Sequence, residues 1–423
     1  MTVEQRIHIM DVGSKIKFFR LRRNFTQEEL AQGIISVSYL SKIENNITTP
    51  SLEVLKLLSE RLEVDLFEQE NESLLQQMFN WYYSVRDGNA EQSRILFQKL
   101  EPLITTQSLK TYIYFSLFKA RYFILLRKFD EVELELSNLE QYQATFDLKM
   151  TYFYYKFQSI IFYIKNNFHD SIEKLKEAEK ALHHSTDLDQ TEKADIYYLL
   201  GLAYSQLMRV PISIIYTKES LLIYQSTYNY TRSAECQILL GISYRRIGEY
   251  DKAEESYILA WKIAELSNNQ VLQATICHNL GKLFSDQKQH EKALVQFQKS
   301  YKLKENVSVL SKLNTIFSIV DEYYQLGDLE HSFNWLELGR TLLEEKEEYK
   351  KYSISFHLMN YLLTKEYEQL DTYFLEIALP YYRKHHMKEL ILKFSERLAL
   401  HFEQCFKYKK ASYYYSLCYK EIK

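Results

Sequence analysis

Glycine and proline are scarce in this chain, nine and four among 423 residues. Turn-rich all-β folds and glycine-built phosphate loops need more of both, so an all-α chain is expected. Cysteine is sparse as well. Cys236, Cys277, Cys405 and Cys418 form no CxxC pair and no zinc spacing, which leaves buried, reduced thiols as the expectation. No run of 18 apolar residues occurs, so no membrane span is expected. Residues 1–11 carry Glu4, Arg6 and Asp11 without an apolar core, unlike a signal peptide. A charge excess is lacking too. The 53 Lys and Arg face 56 Asp and Glu, so any DNA contact has to come from a local patch. Together these absences point to a cytoplasmic protein that does not engage membranes.

Catalytic signatures are also missing. The patterns GxxxxGKS/T, GxGxxG, HExxH and GxSxG do not occur. His183-His184 and His385-His386 are sequence neighbours, about 100° apart on a helix, and so are ill placed to hold one metal. His290-Glu291 lacks the second histidine of a zinc helix. Carboxylates such as Glu344, Glu345, Glu347 and Glu348 read as a solvated face. Neither an enzyme nor a metal or other cofactor is expected.

What is present begins near the amino end. In Asp11–Arg23, Val12, Ile16 and Phe19 fall at helical spacing among Lys15, Lys17, Arg20, Arg22 and Arg23. Thr26 and Glu29 form a Thr-x-x-Glu capping box that starts a second helix at Gln27, with Leu30 and Ala31 buried; Gly33 permits the turn that closes it. Ser36 can cap a third helix with Val37, Leu40 and Ile43 inward and Ser38, Tyr39, Ser41 and Lys42 outward. Pro50 and Ser51 start a fourth helix, and residues 64–69 suit a short fifth. Two short helices joined by a tight turn can place the second in a major groove. Small hydroxyls, a tyrosine and a lysine suit base edges and phosphates. From Val12 to Asn46 six bases face three acids, a local basic surface; over residues 1–67 the charges balance. Weak non-specific binding is therefore expected, with tight binding requiring a dimer on two half-sites.

Beyond the polar stretch 68–73, which reads as a linker, the sequence repeats. Gly201, Gly241 and Gly281 are spaced 40 residues apart, each followed three residues later by Tyr204, Tyr244 or Phe284. Ala253 and Tyr257 are matched by Ala293 and Phe297. A small residue lets a second helix pack close, and the aromatic three later is expected to fill the gap. Weaker copies extend both ways, giving about nine helical hairpins over 74–423. First helices of such hairpins line a concave groove suited to an extended peptide. Counting from each glycine, the groove positions are Asp195, Tyr198, Leu202 and Ser205; Glu235, Ile238, Ile242 and Arg245; Thr275, His278, Lys282 and Ser285. Asn314, Phe317, Asp321 and Tyr324 follow in the next unit. Mixed charges beside aromatics suit a short peptide with charged and apolar groups. Asn279, just before Leu280-Gly281, carries an amide able to pair with both the N–H and C=O of an extended backbone; a hydrogen bond between helices is the other use open to it.

Residues 16–62 resemble the repressor-like helix-turn-helix family in the TQEELA segment, the S-x-L-S-K-I-E helix and the Pro-Ser-leucine helix start. That resemblance implies a phosphate contact from Gln27 and recognition by Ser36, Ser38, Tyr39 and Lys42; Arg20 and Arg23 complete the candidate DNA-binding set. Residues 74–423 resemble tetratricopeptide repeats, with a period lengthened from 34 towards 40. The combination is similar to the RNPP regulators of Gram-positive bacteria. The resemblance implies a quorum-sensing transcription regulator: a secreted, re-imported signalling peptide would alter the superhelix or its oligomer contacts and so DNA binding. It implies that Asn279 holds the peptide backbone. Relatives without the DNA-binding domain act on response regulators of the sporulation phosphorelay, so a scaffold that sequesters such a protein is the alternative. The expected partners are thus DNA with a palindromic operator, a short peptide, a second copy of the chain and, in the alternative, a response regulator.

Overall fold

A computed structural model of the chain describes residues 12–64, 66, 71–106, 108–185, 188–305 and 308–422. Every regular element among them is helical. Most of the fifth short helix expected over 64–69, and residues 68–70 of the expected linker, lie outside the described residues; of the rest of the linker, Asn71 caps a helix that already includes Glu72 and Ser73. The chain separates into two compact units, Met1–Asp189 and Gln190–Lys423, a packing division that falls at neither end of the expected linker.

Unit one opens with α1 (Val12–Arg22), α2 (Gln27–Ala31), α3 (Val37–Glu44) and α4 (Leu52–Leu62). Their starts follow the sequence chemistry. Thr26 and Glu29 cap each other's backbone, Ser36 accepts from the Tyr39 amide, and Ser51 accepts from the Val54 amide. Gly13 lets α1 press on the end of α3, since a Cβ there would sit 1.8 Å from the Ile43 carbonyl oxygen. Val12, Ile16, Phe19, Leu30, Ala31, Leu40 and Ile43 form the core with Leu55, Leu58 and Leu62. Val37 departs from expectation. It is 40% exposed at the start of α3, beside Ser38, because the helix turns its Leu40–Ile43 side to the core.

Nine hairpins follow among the described residues, three in unit one and six in unit two. Unit one holds α5 (Glu72–Arg86) with α6 (Ala90–Leu100), α7 (Leu109–Leu125) with α8 (Phe129–Glu140), and α9 (Leu148–Ile164) with α10 (Phe168–His184). Unit two holds α11 (Gln190–Gln206) with α12 (Val210–Ser226), α13 (Tyr230–Arg246) with α14 (Tyr250–Leu266), α15 (Gln270–Asp286) with α16 (His290–Leu303), and α17 (Val309–Gln325) with α18 (Leu329–Thr341). Its last two pair α19 (Lys350–Leu363) with α20 (Tyr367–Tyr373) and α21 (Leu379–Lys384), and α22 (Lys388–Gln404) with α23 (Tyr408–Ile422). A π-helical turn at Phe374–Ala378 joins α20 to α21. It precedes Pro380, whose missing N–H and ring disfavour an unbroken α-helical ladder there.

Each hairpin turn contains one left-handed residue: Gly88, Arg127, Asn166, Met208, Gly248, Lys288, Gly327, Lys365 or Phe406. Only three are glycine, so the other turns hold a side chain in a conformation that packing on either side must enforce. The repeat glycines work through space. A Cβ on Gly241 would lie 2.4 Å from the Tyr257 ring, and one on Gly281 would lie 2.6 Å from the Phe297 ring. At these two glycines the ring that fills the gap comes from the second helix, not from the aromatic three residues on; at Gly201 the Thr217 side chain takes that place. Tyr204 instead stacks on Tyr216 at 5.7 Å. All four cysteines are free, but only Cys236 and Cys277 are buried; Cys405 is exposed, because its place at the end of α22 falls outside the packed face.

Candidate functional site

One carboxylate ties together three of the four helices of the amino-terminal head. Glu44 on α3 accepts from Arg20 Nε at 2.6 Å and Nη2 at 3.0 Å, and from Gln27 Nε2 at 2.7 Å. The third guanidinium nitrogen, Arg20 Nη1, donates to the Phe25 carbonyl at 2.9 Å. Arg20 is 8% exposed and Glu44 is 4% exposed. The expectation that Arg20 faces a phosphate is therefore corrected: its side chain ties α1 to α3 from inside. Gln27 is half-buried and its amide nitrogen points at Glu44. Arg23 is exposed and pairs with Glu63 at 2.9 Å. Ser36, Ser38 and Lys42 are exposed on α3, Tyr39 is half-buried, and Ser36 Oγ lies 3.2 Å from Ser38 Oγ. That leaves a short polar face of hydroxyls and a lysine on a rigid frame, which is what base-edge contact requires.

The same head is seated on the first repeats of unit one. Phe18, which the sequence pattern did not assign to any core, is 3% exposed and meets Tyr112 at 5.0 Å and Tyr142 at 5.9 Å between ring centroids. Arg22 lies over Phe18 and Tyr112, and its Nη2 donates to the Ile104 carbonyl at 3.1 Å. Burial lowers the Arg22 pKa despite those tyrosines.

In unit two the first helices α13, α15, α17, α19 and α22 bring polar side chains together. Arg246 on α13 donates to Glu389 on α22 at 3.3 Å, a contact across 143 residues, and also to Ser205 Oγ at 2.7 Å. The superhelix thus curls until its fifth and ninth hairpins touch. Asp321 on α17 is paired with Lys393 at 2.5 Å and with Arg397, both on α22. Arg245 pairs with Asp286 at 2.5 Å, while its Nε is buried without an acceptor. Burial and the surrounding cations hold His278 well below its usual pKa. The neutral ring accepts from Asn314 Nδ2 at 3.0 Å through Nε2, and its Nδ1 lies 3.3 Å from Thr315 Oγ1. That hydroxyl also accepts from the buried Lys304 at 2.6 Å.

Among the expected groove residues, Arg245, His278, Asn279, Lys282 and Asn314 fall in this region. Asn279 is 8% exposed, and its Nδ2 donates to the Thr275 carbonyl of its own helix at 2.9 Å. Its free oxygen is what remains for another chain. Glu235 pairs with Arg232 at 2.7 Å on α13. Tyr198 is half-buried against the Leu221, Tyr224 and Leu240 cluster. Two expectations are corrected. Asp195 is buried and accepts from the Tyr224 hydroxyl, which turns it inward; Phe317 is 8% exposed within the core, with Lys393 Nζ 5.5 Å from its ring centre. Glu389, Lys393 and Arg397 were missed because no glycine marks the register of α22. Their four-residue spacing on one helix face was the signal available. Lys351 on α19 was missed for the same reason. Among the described residues no group of His, Cys, Asp and Glu could hold a metal ion, and no helix is long and apolar enough to cross a membrane.

A helix-turn-helix head followed by stacked helical hairpins is the architecture of the RNPP regulators. The helix-turn-helix family profile matches residues 16–69, and the tetratricopeptide-repeat profile matches residues 274–307. The transcriptional activator NprA of Geobacillus stearothermophilus is 38% identical over 402 residues, covering 93% of this chain and 99% of that protein. The chain belongs to the NprA family within the RNPP regulators. The regulatory protein RapD of Bacillus subtilis is 24% identical over 315 residues, 72% of this chain and 87% of its own. The fold is shared with solved structures at 19% identity. A Rap protein complexed with competence and sporulation factor has a TM-score of 0.73 over 83% of this chain and 97% of its own. The quorum sensor NprR from B. thuringiensis, in its apo form, has 0.69 over 83% of this chain and 99% of its own.

Proposed function

We propose that the chain is a cytoplasmic, peptide-responsive transcription regulator: α3 reads a duplex, and the inner face of unit two takes a short extended peptide. The observation that carries this reading is the convergence of first-helix side chains from α13 to α22 into a buried and half-buried cluster whose cations outnumber its carboxylates. A solvated surface would not bury such groups, and a sealed core would pair them. The related quorum sensor NprR has been solved in complex with its cognate peptide NprX, which fits an inner face built for a peptide. Two heads on a palindromic operator would supply the affinity that the balanced charge of residues 1–67 does not.

The test uses the full chain. Duplexes selected from a random pool serve as the probe, with Lys42→Ala as the variant. Lys42 is exposed on α3 and makes no structural contact there, so the variant should fold normally. Its affinity for the selected duplex should fall by about 1–3 kcal/mol, with peptide binding unchanged. Unaltered duplex binding would remove α3 from the interface. Failure to select any duplex, alongside capture of a phosphorelay response regulator, would favour the scaffold alternative.

A further inference from the structure

Six cations line the inner face of unit two: Arg245, Arg246, Lys282, Lys351, Lys393 and Arg397. Three carboxylates answer them. Asp286 takes Arg245 at 2.5 Å, Glu389 takes Arg246 at 3.3 Å, and Asp321 takes both Lys393 and Arg397. Lys282 and Lys351 are half-buried and make no direct ion pair among the described residues; the carboxylate whose charge acts on both is Glu389, which Arg246 already engages. Lys282 stands on α15 and Lys351 on α19, on either side of α17. Counting the adjacent Lys304 and Glu322 leaves the excess of three positive charges unchanged. Beside them Arg245 Nε is buried with no acceptor.

We propose that this cluster is a carboxylate seat: Lys282 and Lys351, with Arg245 beside them, bind an acidic group of the peptide, either an Asp or Glu side chain or the terminal carboxylate. The inference rests on the peptide reading above and adds the chemistry of the ligand. Desolvated cations that outnumber their counter-ions are costly, and a carboxylate delivered by a ligand offsets that cost on binding. The state of Lys282 agrees with this. Burial brings its pKa down to about 8, Glu389 alone opposes, and Arg245, Lys351 and Lys393 push the same way as burial. Lys351 is lowered by burial as well, against the charge of Glu389. An apolar ligand would leave these groups worse solvated than before. A basic ligand would add to the repulsion.

The probe is a set of synthetic heptapeptide mixtures, each fixed at one position as Asp, Glu, Asn or Gln, prepared with free and with amidated C-termini. Binding to the full chain is followed by calorimetry. Asp or Glu at one position, or the free terminus, should bind about ten- to a hundredfold tighter than the neutral counterpart. The fixed-position arm and the amidated arm distinguish a side chain from the terminus. Lys282→Met with Lys351→Met should abolish that preference and should raise the thermal midpoint of the unliganded chain, which residues with a merely structural role would lower. Binding without any preference for a carboxylate, or a preference that survives in the double variant, would overturn the seat alone. If no mixture binds, the peptide reading fails and the seat with it.

Discussion

Glu44→Ala is expected to unfold the amino-terminal head while leaving the repeats folded. The carboxylate is the shared acceptor of Arg20 and Gln27, and its removal strands a guanidinium that is 8% exposed. Breaking a buried ion pair from one side costs about 3–5 kcal/mol. A single small helical domain rarely has more than that to lose. Duplex binding should vanish although Glu44 points away from the reading face, and brief proteolysis should cut only within the first ~65 residues, a domain's length at the lower limit. Peptide binding in unit two should persist. A head that stays protease-resistant in the variant would show that Phe18 and Arg22, seated on Tyr112, Tyr142 and the Ile104 carbonyl, suffice to hold it.

The second large effect is expected at Asp321. This carboxylate joins α17 to α22 and is 4% exposed. Burial alone would raise its pKa, but Arg397 and Lys393 hold it down to about 2. Asp321→Ala should therefore cost about 3–5 kcal/mol and loosen the closure of unit two. The pH dependence has a definite sign. An aspartate with a depressed native pKa stabilises the fold fully above its unfolded value, near 4, and that contribution disappears as pH falls through about 2. The wild-type chain should lose about 2 kcal/mol of unfolding free energy from this group between pH 4 and 2. Glu389 is also held down to about 2: burial opposes, and Lys282, Arg246 and Arg245 prevail. Its side chain is 61% exposed, so solvent screening makes its share smaller. Denaturant melts across that window should be flatter for Asp321→Asn. An equally steep fall in that variant would show that other carboxylates dominate acid unfolding.

Local rules made most of the architecture legible. The Thr26–Glu29 box, the Ser36 and Ser51 caps and the 40-residue glycine spacing each foretold an element that the structure contains. The hairpin count also followed, because each unit repeats the same apolar faces. Side-chain pairing was less legible. Arg20 and Glu44 entered the charge balance as separate surface groups, yet they cancel inside the head, and only the crossing of α1 and α3 brings residues 24 positions apart together. Phe18 looked superfluous to a four-helix core because its partners, Tyr112 and Tyr142, belong to a later hairpin. In the groove, glycine positions gave the register only for α11, α13 and α15. Curvature of the superhelix then brought α22 back to α13, and no local pattern encodes that closure.

The central claim is that occupancy of unit two is felt by the head at the amino end. The most direct measurement is the affinity of the full chain for its selected duplex, with and without a saturating amount of the tightest-binding heptapeptide. Linkage predicts a change of about 5- to 150-fold, matched by an equal change in peptide affinity when the duplex is present. Peptide that binds tightly while the duplex affinity stays the same would contradict the account.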